Sequence, residues 1–455
     1  MSLPVWLRRA EVDRAVVWSI AARALQALLG PLTLVLIART LSPALQGYYY
    51  TFASLVALQS FVELGLSVVI VNVASHEWGS LRLDPLGRID GDVQARSRLV
   101  SLGRVVFRWY AAASMVFILA VGAAGLAFFS QGGGSEGEWR GPWMAQVVLA
   151  GLSLCLLPAT SILEGCNQVA SIQFFRFLQA LGSTAAMWTA LLLGAGLWAG
   201  VVSAAVLLLR DLSLVLIRYR RFFVPFLKPP EAGRMDWKTE IWPMQWRLAV
   251  SGLFGYLVFS LFNPVMFRYH GAVVAGQMGM TLALTNVLQA IAGAWVQTRV
   301  PSFGILVAKR DFQTLDRSFF KLSAISIGVM VSGLAALWFG VAALRWMGHP
   351  LADRVLPPLP FGLFLAAAAI LQVSLCETLY LRAHRQEPLL GLSVFMGTAV
   401  GGCTFLLGSR YGPVGAAAGY LAVVVICTVW ETGIWFRCRR EWHQPLPAPG
   451  PAGNV

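Results

Sequence analysis

Twelve apolar stretches, each long enough to cross a bilayer as a helix, recur along this chain of 455 residues and exclude nearly every other fold. A hydrocarbon core of roughly 30 Å takes about 20 helical residues. The stretches run Ala15 to Ile37, Tyr49 to Asn72, Val105 to Phe129, Trp143 to Leu163, Ile172 to Leu193 and Leu197 to Ile217 in the first half. The second half gives Trp246 to Met266, Val273 to Val296, Phe319 to Leu344, Leu359 to Leu381, Leu389 to Leu407 and Val414 to Phe436. None alternates with the two-residue period of a membrane barrel, so helices are the reading that satisfies the backbone without water. Only 12% of the residues are charged, against roughly 25% in a soluble domain.

The charges that remain are biased, 35 Lys and Arg against 21 Asp and Glu, for a net +14. Nucleic-acid binding would gather that excess on one solvated face, whereas here it is scattered over short loops. With the amino terminus inside, most basic residues fall in inner segments, and the outer ones hold only Arg39, Arg140, Arg268, Arg345, Arg354 and Arg410. This asymmetry places both termini in the cytoplasm. No cleavable signal is apparent, because the first apolar run is too long and is followed at once by another. Trp78, Trp109, Trp139, Trp143, Trp242, Trp246, Trp346 and Trp435 fall near helix ends, where indole rings suit the headgroup layer. The six cysteines lie in or at the ends of apolar runs and read as packing residues. No cofactor or metal is expected, since the five histidines are far apart in sequence.

The two halves echo each other. A shift of 229 places Arg39 on Arg268 and Gly47 on Gly276. Later, Leu163 and Gln168 in LEGCNQV match Leu381 and Gln386 in LRAHRQE, both after the fourth helix of their half. The expected architecture is therefore an all-α polytopic membrane protein, with about twelve helices in two six-helix lobes around a central cavity. Residues 1–217 form the first lobe, 218–245 an inner inter-lobe loop, 246–440 the second lobe and 441–455 a disordered tail. Parallel repeats of this kind put a substrate site between the lobes. Gly30-Pro31 and Asn263-Pro264 interrupt the lead helix of each half, either as hinges for alternating access or as static kinks.

The segment IARTLSPALQGYYYTFASLVALQSFVELGLS (Ile37 to Ser67) resembles the first helix pair of Wzx-type polysaccharide exporters of the multidrug/oligosaccharidyl-lipid/polysaccharide (MOP) superfamily. LEGCNQV and YGPVGAAAGY (Tyr411 to Tyr420) resemble two further landmarks of that family, in order along the whole chain. The resemblance implies a flippase of the bacterial cytoplasmic membrane that moves an undecaprenyl-diphosphate-linked glycan to the outer leaflet. It implies a lipid-linked glycan as substrate and a polysaccharide polymerase or glycosyltransferases as partners, while the basic inner excess makes anionic membrane lipids the expected neighbours. Without such a protein the headgroup cannot cross, because desolvating its charges and hydroxyls is prohibitive.

Ionisable residues inside a span are candidates for function. Arg23 in helix 1 and Glu63 in helix 2 lie equally far from the connecting turn, so they share a depth. Arg23 could ligate a diphosphate, since guanidinium matches phosphate oxygens bidentately; the alternative is an Arg23–Glu63 ion pair. Arg39, Arg268 and Arg247 sit near the two mouths, where they line a cavity or snorkel. Glu63, Asp211 beside Arg210, Glu377 and Glu431 are candidates for ion coupling or structural pairing. Arg210 and Asp211 point about 100° apart and are expected to pair with neighbours rather than with each other. In the inner loop, Leu99, Leu102, Val105 and Val106 within 88–108 suggest an interfacial amphipathic helix.

Competing classes fit less well. A major-facilitator transporter expects a Gly, Asp, Gly, Arg signature between helices 2 and 3, and GSLRLDPLGR departs from it. Within the MOP superfamily, a lipid II flippase or a drug/cation antiporter remains open, although the antiporter usually needs an acid in helix 1. A membrane glycan polymerase or glycosyltransferase would need acids or metal ligands in a sizeable outer loop. The outer acids are only Glu136, Glu138 and Asp353, so no enzyme is expected.

Overall fold

The computed structural model describes residues 14–63, 65–130, 136–230, 233, 235–384 and 388–443. The chain is an all-α multi-pass membrane protein. Helix α1 (Arg14–Thr40) is followed by α2, which is built of Pro43–Val56, Gln59–Glu63 and Leu66–Trp78 and bends by 45° before its last piece. Gly65 takes the bend with φ of 66°, a left-handed conformation that glycine adopts without steric cost. Then come α3 (Val93–Ser130), α4 (Glu136–Gly165), α5 (Val169–Leu192) and α6 (Trp198–Ser213).

In the second half α7 comprises Trp242–Phe259 and residues 262–270, and α8 spans 271–297, the two meeting at Gly271 with φ of 88°. Helices α9 (Phe312–Trp346) and α10 (Pro358–Ala383) follow, with a short helix Val300–Ala308 ahead of them. The last apolar unit turns at Gly412, φ 63°, into α11 (390–411) and α12 (413–442). Every expected span thus has its helix, and the positive-φ glycines Gly271 and Gly412 sit where one span reverses into the next. Helices α1 to α6 pack on one another, as do α7 to α12, and the main inter-lobe contacts join α1 and α2 to α7 and α8.

The two expected interruptions differ. Helix α1 runs unbroken through Gly30 and Pro31; proline forfeits one intrahelical bond and the helix continues past it. Helix α7 does break, but at Ser260 and Leu261, so Asn263 and Pro264 begin its second piece. In a helix's first turn the N–H groups lack intrahelical acceptors, and a proline there costs no hydrogen bond.

The 88–108 segment is not a separate interfacial helix. Residues 89–91 form the second strand of a hairpin, β1 (Leu81–Leu83) with β2 (Ile89–Gly91), and α3 begins directly after it. Leu99, Leu102 and Val106 are buried in protein, and Val105 alone of the four is exposed. The reason is that the inter-lobe segment folds over them. It carries the short helix Arg220–Phe223, a 3₁₀ turn Val224–Leu227 and a π turn Trp237–Ile241. Its Phe222 and Phe226 are buried, and Gly103 leaves the space that the Phe226 ring fills.

Two further expectations are corrected. Trp139, Trp143 and Trp435 are buried rather than interfacial; the Trp143 indole donates to the Gly122 carbonyl at 3.2 Å, and Gly125 makes room for its ring. Trp109, Trp242, Trp246 and Trp346 are exposed as expected. The tail does not begin at 441: helix α12 reaches Trp442, and His443 hydrogen-bonds Tyr380 at 3.0 Å. Arg439 on Asp316 of α9 at 2.6 Å anchors that helix end. The remainder of the expected tail lies outside the described residues.

Candidate functional site

Call the side on which α1 begins and α12 ends the basic face. On the opposite face the lobes cross at small residues. A Cβ on Gly47 of α2 would lie 1.8 Å from the Ala272 carbonyl oxygen, and one on Gly276 of α8 would lie 2.9 Å from the Gly47 nitrogen. Gly279 likewise accepts the Tyr50 ring, whose hydroxyl reaches the Met280 sulfur at 3.5 Å. Small residues let backbones approach in this way, and close packing holds helices together in lipid, where no hydrophobic force does. Gly47 and Gly276 are the positions that the 229-residue shift equates, so the contact lies on the repeat's pseudo-symmetry.

Polar and aromatic groups reinforce the crossing. The buried Gln46 amide donates to the Gly276 carbonyl at 2.8 Å and to the Arg354 carbonyl at 3.1 Å, and Arg354 returns a bond to Gln46 Oε1 at 3.5 Å. Phe267 of α7 inserts among Tyr48 and Phe129 of the first lobe, with ring centroids 4.9 and 5.2 Å away. Deeper in the interface, Asn263 donates to Ser54 Oγ at 3.0 Å and the Tyr256 hydroxyl to the Ser54 carbonyl at 3.2 Å. On the basic face Arg98 joins Glu77 of α2, at 2.9 Å, to Glu240 ahead of α7, at 2.5 Å.

The side chains of Arg23 and Arg247 lie outside the described residues. Glu63 accepts a hydrogen bond from Ser67, one turn along the chain. Arg39 and Arg268 are exposed near the crossing, and it is Arg354 that takes part in it. Against expectation, Arg210 and Asp211 pair with each other at 2.6 Å. The arginine is long enough to curl back, and its guanidinium also meets Gln179 of α5 at 3.4 Å.

Glu377 of α10 and Glu431 of α12 are both buried, and each is held by hydroxyls of the other's helix. Thr432 of α12 donates to Glu377 at 2.9 Å, while Ser374 and Thr378 of α10 donate to Glu431, the latter at 2.6 Å. Arg437, further along α12, pairs with Glu441 at 3.0 Å. Such charge-assisted bonds let a carboxylate persist away from water.

Reading spans as apolar runs passed over Gln46, Asn286 and Gln289. Asn286 and Gln289 line, with Thr285 and Tyr420, a cavity of about 30 Å³ inside the second lobe. The signal was there: amides within an apolar run stand out as sharply as charges do. The LEGCNQV landmark is structural. Gly165 lies where a Cβ would meet the Val71 carbonyl oxygen at 2.6 Å, and Gln168 accepts from Tyr219 at 3.1 Å.

With this geometry in hand, the chain compares well with solved transporters. An inward-facing multidrug resistance MATE family transporter of the MOP superfamily superposes with a TM-score of 0.63 at 13% identity, over 93% of this chain and 99% of that one. The lipid II flippase MurJ, in an inward closed conformation, gives 0.62 at 12% identity over 94% and 90%. An outward-facing MATE transporter gives 0.54 at 10% identity over 97% and 99%. The chain has the fold of the MOP superfamily. No family model and no curated protein matches it by sequence. The MOP fold agrees with the all-helical, multi-pass architecture expected from the sequence.

Proposed function

We propose that the protein is a flippase that carries a lipid with a large polar head, an undecaprenyl-diphosphate-linked oligosaccharide or a similar polysaccharide precursor, from the inner to the outer leaflet of a bacterial cytoplasmic membrane. The observation that carries this reading is the inter-lobe joint. Two six-helix lobes meet at a pseudo-symmetric glycine crossing on one face, and a rocking motion about such a joint exposes the space between lobes to one leaflet and then the other. Greater similarity to the inward-facing than to the outward-facing relative supports a resting state sealed on the face opposite the basic one. The basic face is then cytoplasmic, in line with the charge asymmetry.

The headgroup passes between the lobes while its polyprenyl tail stays in lipid. Arg23, in the lead helix of the first lobe, is the proposed diphosphate ligand, with Glu63 as its counter-ion in the empty state; the repeat places Gly252 and Ala292 at the equivalent positions, so this pair belongs to the first lobe. Deleting the gene tests the reading: lipid-linked glycan should accumulate in the inner leaflet, and normal surface polymer with unchanged leaflet distribution would refute it. Arg23→Ala should abolish transport while Arg23→Lys retains part of it.

A further inference from the structure

A second site lies on the basic face, away from the lobe joint. A pocket of about 340 Å³ opens between the β1–β2 hairpin, the start of α3 and the inter-lobe segment, within the roughly 300–1,000 Å³ range of ligand sites. Arg88 from the hairpin, Arg96 from α3, and Arg221 and Lys228 from the inter-lobe segment line it, and among the described residues no Asp or Glu does. Three separate elements thus bring four cations to one concavity.

Several described acids around it are engaged locally. Asp84 accepts the Arg88 backbone N–H at 2.7 Å, Asp92 accepts the Ala95 N–H at 2.7 Å, and Asp90 pairs with Arg82 at 3.1 Å. Glu77 and Glu240 are both held by Arg98. The Arg221 guanidinium is steadied by a bond to the Leu86 carbonyl at 3.3 Å, which ties the inter-lobe segment to the hairpin. Leu86, Val224 and Leu227 are exposed around this assembly, as apolar side chains are where they touch a bilayer surface rather than bulk water.

We propose that this pocket binds the phosphate of an anionic lipid headgroup. Guanidinium groups match phosphate oxygens, basic pockets on the cytoplasmic side of membrane helices hold such headgroups, and the apolar surroundings favour a lipid over a soluble phosphate. The site is independent of the cargo, and it stands or falls apart from the flippase reading.

The test uses the full-length protein in phosphatidylcholine nanodiscs doped with fluorescent phosphatidylglycerol, with lipid retention read by energy transfer. Arg221→Gln with Lys228→Gln should weaken retention by at least about tenfold, since two charge-assisted contacts are lost. Arg317→Gln with Lys321→Gln removes the same charge from exposed positions on α9 and should leave retention unchanged. Should the double variant fold poorly, Arg88→Gln on the exposed hairpin provides the same readout. Inorganic diphosphate separates the sources: displacement of the lipid marks the phosphate group alone as sufficient, and persistence marks a lipid-anchored ligand. Equal losses in the pocket and α9 variants, or none in the pocket variants, would overturn the proposal.

Discussion

Gly47 and Gly276, equivalent positions of the two halves, pack backbone against backbone, with a Cβ on either overlapping the other lobe. Space there is fully used. Gly276→Ala should therefore push the lobes apart on the face opposite the basic one, costing about 1–3 kcal/mol of the sealed state as overpacking does. Labelling of a reporter cysteine at that face should rise and transport should fall. Gly255→Ala, where a Cβ meets nothing within 4 Å, should change neither; equal effects would deny the crossing its role.

Gln46 is the polar clasp of the same joint. Gln46→Ala removes two donors from the carbonyls of Gly276 and Arg354 and should destabilise the folded protein by about 1–3 kcal/mol, since unsatisfied buried carbonyls are costly. The melting temperature in detergent checks it, and an unchanged value would show that water replaces the amide.

Glu377 and Glu431 rely on hydroxyls for their solvation. Thr378→Val should remove about 1.5–3 kcal/mol of stability by stripping a charge-assisted donor from Glu431. Glu431→Gln separates structure from coupling: if the network carries an ion, transport in that variant loses its dependence on the ion gradient, whereas a structural network changes the melting temperature and leaves the dependence intact.

Asp311 caps helix α9. The Thr314 side-chain hydroxyl, and after it the Thr314 backbone N–H at 3.1 Å, hold its carboxyl below the usual carboxylate range. A depressed folded-state pKa gives stability that is present above the ordinary pKa and lost as pH falls through the folded one. The melting difference between the native chain and Asp311→Ala should accordingly be full at neutral pH and shrink on acidification. A difference that grows in acid would contradict the cap.

The helices were legible because apolar runs of bilayer length admit one backbone solution, and the turn glycines Gly271 and Gly412 mark where spans reverse. The repeat shift that paired Gly47 with Gly276 was legible too, although a sequence match says nothing of contact. The pairing of Arg210 with Asp211 was not legible, because side-chain reach overrides the angular separation of Cβ directions. Nor was the burial of Trp143 and Trp435, which depends on which partner helix covers a span's end. The hairpin and the folded inter-lobe segment escaped for a related reason: Phe222 and Phe226 read as loop residues until the surface they cover, around Gly103, is known.

The most direct test of alternating access locks the joint. In a variant lacking the six native cysteines, Gln46→Cys and Arg354→Cys, whose native side chains meet at 3.5 Å, are bridged by a short, reducible thiol cross-linker after reconstitution into liposomes carrying a defined lipid-linked oligosaccharide. Leaflet exchange should stop in the cross-linked protein and resume on reduction; exchange that continues at the unlocked rate would contradict transport by opening of this face.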